Sequence, residues 1–74
     1  MEELFRDRKY CAKELGEASR MIKAHNLTFE QGQKLADALA FMYLYCDDDL
    51  KPLVLDYMGK AQTVGLANLF SVAR

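Results

Sequence analysis

The tetrad Thr28-Phe29-Glu30-Gln31 lies between two stretches of helical apolar periodicity, and it constrains this chain more than any other feature. A hydroxyl residue followed three positions later by Gln forms a capping box. Each side chain satisfies the other's otherwise unpaired backbone N–H at the start of a helix. Upstream, Leu4, Cys11, Leu15, Ala18 and Ile22 recur at steps of three and four, interrupted once by Arg8. Residues 2–25 therefore read as one amphipathic helix. Glu2 and Glu3 in its first turn, and Lys23 and His25 in its last, suit the macrodipole. Asn26 is the expected left-handed stop, followed by Leu27 as the hydrophobic contact. Downstream, Leu35, Leu39, Met42 and Cys46, one turn after Gly32, make the inner stripe of a second helix that ends near Cys46. A connection of about two residues then forces these helices into an antiparallel hairpin.

Asp47-Asp48-Asp49 punctuates the chain. Asp48 or Asp49 is the expected cap of a third helix from Leu50. Pro52 falls in its first turn, where a missing N–H has no partner to lose. Asp56 and Lys60 are spaced as an i,i+4 ion pair. Gly59 and Gly65 are the places where this helix would break, and one long helix reaching Val72 is favoured over two short ones. The expected fold class is all-α: a single domain over residues 1–74, a small bundle of three helices, the first two an antiparallel hairpin.

Composition now raises a difficulty. The chain has 74 residues, 51% of them hydrophobic, and a chain this short buries only ~60% of the surface its unfolded form exposes. Helical-wheel arithmetic shows where the surplus lies. In the second helix Glu30, Gln33, Lys34 and Asp37 form a wet face. At 100° per residue, Phe41, Leu44 and Tyr45 continue that same sector. In the third helix Asp56, Lys60, Thr63, Ser71 and Arg74 leave only a narrow polar wedge. Leu53, Val54, Tyr57, Met58, Ala61, Val64, Gly65 and Leu69 can fill the groove of the hairpin. Leu55, Leu66 and Phe70 form a second apolar edge with no partner in the chain. Ala61 and Gly65, four apart, would let another helix approach closely. The expected partner-binding residues are thus Phe41, Leu44, Tyr45, Leu55, Leu66 and Phe70, and a homodimer is the expected form.

The chemistry is sparse. No nucleophile elbow, zinc-binding HExxH, glycine-rich phosphate loop or calcium-loop spacing occurs. His25 belongs at the turn end of the hairpin and both cysteines at the other, which separates the one histidine from either thiol. Cys11 and Cys46 read as reduced core residues brought to the same end. The three aspartates splay apart and suit capping better than metal binding. No enzyme activity, cofactor or metal is expected. The chain opens Met-Glu-Glu, without the pattern of a secretory signal, and its longest apolar run, Ala38 to Cys46, is too short to span a membrane. A cytoplasmic location is expected.

Ten Lys and Arg against eleven Asp and Glu give a net charge of −1. That balance disfavours a protein wholly devoted to nucleic acid or anionic membrane. It conceals an uneven layout, because Arg6, Lys9, Lys13, Arg20 and Lys23 share one stripe of the first helix. Acidic Asp7 and Glu14 are expected to one side of it, with Glu3 and Glu17 toward the other. That stripe is a candidate contact for phosphate or an acidic partner, and an ordinary solvated face accounts for it more simply. The expected function is non-enzymatic: a protein–protein interaction or regulatory module, such as a regulator or inhibitor. The alternative is a nucleic-acid-binding accessory protein using the basic stripe.

Overall fold

A computed structural model describes residues 2–72, with side-chain surroundings for 4–70. The side chains of Glu2, Glu3 and Ser71, and all of Arg74, lie outside the described residues. The described chain is all-α, with a short N-terminal turn of helix, α1 (Glu2–Phe5), followed by α2 (Arg8–Lys23), α3 (Phe29–Tyr45) and α4 (Lys51–Val72). A 3₁₀ turn, Asp48–Leu50, leads directly into α4.

The first helix is not continuous as expected; it breaks at Arg6 and Asp7. Asp7 caps α2, its carboxylate accepting from the Lys9 N–H at 2.9 Å. The reason lies one turn earlier. In an unbroken helix Phe5 would point into the sector of Lys9 and Lys13, out into water. The break turns it inward, where it is buried against Cys11 and packs on the rings of Tyr10 and Phe41. Burying a phenylalanine stabilises by ~1.5–3 kcal/mol, enough to offset one interrupted turn that Asp7 has already capped.

The far end of α2 also differs. The helix ends at Lys23, and His25, not Asn26, takes the left-handed conformation, with φ 55°. Its N–H is satisfied by the Ile22 carbonyl at 3.1 Å. Stopping one residue earlier drops Leu27 into the core, where it is 2% exposed. From α4, the Asn68 amide donates to the carbonyls of both His25 and Leu27 and fixes the turn. The connection to α3 runs over residues 24–28, longer than the two residues expected. The capping box at its end is as expected: Gln31 N–H donates to Thr28 Oγ1 at 3.1 Å, and Thr28 N–H to Gln31 Oε1 at 3.0 Å.

Two apolar clusters define the bundle. Cys11, Leu15 and Ala18 of α2 pack with Leu39 and Met42 of α3, Cys46 just beyond it, and Val54 of α4. Ile22 and Leu27 pack with Ala61 and Val64, flanked by Leu35. The start of α2 therefore meets the end of α3, an arrangement that fits the antiparallel hairpin. The tightest backbone approach is elsewhere, between α3 and α4. A Cβ on Gly32 would stand 2.7 Å from the Ala61 carbonyl oxygen, and one on Gly65 would meet Phe29 Cα and Thr28 O at 3.3 Å. The small residues Ala61 and Gly65 thus receive α3 of the same chain, not an outside helix. Gly65 breaks nothing because it is needed at this crossing, and α4 runs through Gly59 as well.

Asp48 and Asp49 lie within the 3₁₀ turn itself, whose cap position is Asp47, with no side-chain bond to its backbone there. Asp47 and Asp49 instead accept from the Arg8 guanidinium at 2.9 and 2.7 Å, tying the start of α2 to the entry of α4. The hydrogen bond from Arg8 holds the Asp49 carboxyl below the usual carboxylate range. Lys51 reaches back to the Tyr43 and Cys46 carbonyls at 2.7 and 3.3 Å. It supplies the cation that the last turn of α3 lacks.

Candidate interaction surface

The residues expected to bind a partner divide into two groups. Phe41 and Tyr45 belong to an aromatic cluster covered in part by the chain's own N-terminus. Phe41 meets the Phe5 ring edge-on at 5.5 Å and the Tyr45 ring at 5.1 Å. Tyr45 is half-buried, whereas Phe41 stays 39% exposed despite these ring contacts. The apolar second half of α3 is thus covered on this side by α1, an element absent from the expected hairpin. The Phe5 carbonyl completes the junction by accepting from the Cys11 thiol at 3.0 Å. Burial pushes that thiol's pKa up, which keeps it protonated and unreactive. Cys11 and Cys46 are both buried and both free.

Leu44, Leu55, Leu66 and Phe70 remain uncovered, at 66%, 56%, 42% and 64% exposure. They share the side of the molecule opposite α2. Wheel positions place Phe29, Gln33, Ala40 and Leu44 on that side of α3, and Leu55, Gly59, Gln62, Leu66 and Leu69 on that side of α4. A groove of about 330 Å³ between the two helices is lined by Phe29, Gln33, Gln62 and Leu66. No charged residue falls on the α4 row, whereas on α3 the exposed Asp37 lies beside Leu44. Phe29, Gly59 and Gln62 complete this surface and were not singled out from sequence. The signal that would have found them is the heptad spacing 55, 59, 62, 66, 69 along α4.

The second candidate set is an exposed row on α2. Lys9, Lys13, Arg20 and Lys23 line its outer face, with the bare backbone of Gly16 midway and Arg6 in the break before it. From Lys9 to Lys23 the row covers about 21 Å at 1.5 Å per residue. None of the five makes an ion pair among the described residues. Glu14 and Glu17 are half-buried and lie on the same side of the row, not on opposite sides as expected, because their wheel positions differ by only 60°.

His25 is exposed at the turn and takes part through its carbonyl. Among the described residues no three His, Cys, Asp or Glu converge as a metal site requires, and no helix is long and apolar enough to cross a membrane. Comparison with protein-family models, curated proteins and solved structures finds no match to this chain.

Proposed function

We propose that this protein is a non-enzymatic interaction module, a regulator or inhibitor type of small helical bundle that acts as a homodimer by binding protein through its exposed apolar face. The single observation that supports this is the α3/α4 side, where Leu44, Leu55, Leu66 and Phe70 stay exposed among the described residues. Monomeric proteins rarely leave so much contiguous apolar surface to water. The proposal includes a reducing, cytoplasmic setting, in keeping with two free buried thiols. Light scattering is expected to give a species heavier than 8.5 kDa. A bait carrying Leu66→Glu and Phe70→Glu should lose the protein partners that the intact chain captures. Undiminished capture of every partner would move the contact elsewhere.

The second reading is favoured by the basic row on α2, which makes no ion pair among the described residues. Under it, Lys9, Lys13, Arg20 and Lys23 hold a nucleic-acid backbone. Affinity for duplex DNA would then fall steeply with salt, with a log–log slope near −0.9 for each phosphate neutralised. A salt-insensitive or undetectable shift in fluorescence anisotropy removes it.

A further inference from the structure

We propose that the occupant of the α3/α4 face is a second copy of this chain, docked with its α4 antiparallel to the first about a two-fold axis near Gly59 to Gln62. This rests on the interaction reading above and assigns it a partner and a register.

The argument begins with spacing. Leu55, Gly59, Gln62, Leu66 and Leu69 follow the alternating four-three steps of a coiled-coil seam, and they lie on one exposed strip of α4. Antiparallel helices pair unlike seam positions, so the strip is complementary to itself. Leu55 of one copy meets the partner's Leu66, and the symmetry repeats the contact at the other end. Between them the long Gln62 side chain lies across the partner's Gly59, where a Cβ would meet only open space in the single chain. A large group opposite a bare backbone lets the two helices close.

Charge points the same way. The α4 strip carries no ionisable side chain, so the two seams meet no like charge, and the acidic Asp37 lies beside Leu44 on α3 rather than on the seam. Each α4 lies along the groove of the other copy lined by Phe29 and Gln33, which brings α3 and Leu44 into the contact. A nucleic acid is a poor fit for this face, and the basic row on α2 stays free on the opposite side.

Sedimentation equilibrium on the full chain tests the proposal, with circular dichroism confirming that each variant keeps its helices. The wild type is expected to be a dimer. Leu55→Glu and Leu66→Lys each place a charge against a leucine and should each weaken association by at least about tenfold. Combined in one chain, the two changes place opposite charges against each other across the axis, twice. Most of the lost affinity should return. The two positions lie eleven residues apart on α4, too far to pair within one chain.

A strict monomer at high micromolar concentration overturns the proposal. So does a dimer indifferent to the single changes, or a double variant no tighter than either single one. The last two results leave a dimeric interaction protein standing and sink only this face or register. The first removes the dimer, and capture by the intact bait but not by the Leu66→Glu, Phe70→Glu bait then keeps a protein partner of another kind.

Discussion

Three glycines of this chain experience opposite surroundings, and substituting them would separate those roles. Gly32 sits where a Cβ would press on the Ala61 carbonyl, a backbone atom of another helix that cannot swing aside. Gly32→Ala should therefore part α3 from α4 and destabilise by about 1–3 kcal/mol, read as a lower urea midpoint. In the Leu66→Lys background, where the copies are held apart, Gly59→Ala adds a methyl to open space and should raise stability by up to ~1 kcal/mol through helix propensity. Gly65 is nearer the first case than the second. Sequence placed Gly59 and Gly65 together as possible helix breaks, because a glycine's letter carries no information on what approaches it.

Arg8 raises a different question at the same scale. Its stripe position looks like a defect in the periodicity of α2, yet it bridges Asp47 and Asp49. Since the Asp49 carboxyl has a lowered pKa when folded, the bridge contributes stability above the ordinary carboxylate pKa of ~3.9. That contribution is lost as pH falls through the lower folded value. The wild type and Arg8→Gln should therefore differ by a small, constant amount near neutrality and converge only in acid. Urea midpoints measured from pH 7 to pH 2 check this. A gap that persists unchanged at pH 2 would trace the effect to another contact of Arg8.

Among the elements, α1 is the one whose existence depends on tertiary contact. Four residues cannot sustain a helix alone. Phe5 anchors it on Tyr10 and Phe41, and its last carbonyl takes the Cys11 thiol. Phe5→Ala should release α1, expose the edge of Phe41 and open a path to Cys11. A thiol reagent under native conditions should then modify Cys11 much faster than in wild type, with Cys46 as the internal reference. Equal protection of Cys11 in both proteins would show that α1 is not its cover. By contrast, α3 begins where its capping box says, because that signal is completed within four residues. The end of α3 relies on Lys51 from the next helix, a contact that no local motif in the sequence announces.

For the whole molecule, the distribution of apolar surface is decisive. The buried residues form two clusters stacked along a body 42 Å long, and every helix contributes to them except on the α3/α4 side. If that side is closed by a second copy, folding and association are linked, and the melting midpoint must rise with protein concentration. Thermal scans across a hundredfold range of concentration should show the rise for wild type and lose it for Leu66→Lys. A midpoint independent of concentration in both would separate stability from association. The basic row on α2 faces the other way and is left available whatever covers α3 and α4.

The helices, the capped start of α3, the Asp56–Lys60 pair at 2.9 Å and the surplus of apolar residues were all legible in the order of the amino acids. Each arises from interactions spanning three or four positions, which periodicity and capping residues encode directly. The break at Asp7, the left-handed His25 and the division of the expected binding residues were settled by contacts between residues remote in sequence. Phe41 and Tyr45 look equivalent to Leu44 on a helical wheel. They differ because Phe5 of α1 packs on Phe41, which meets Tyr45, whereas among the described residues nothing folds over Leu44.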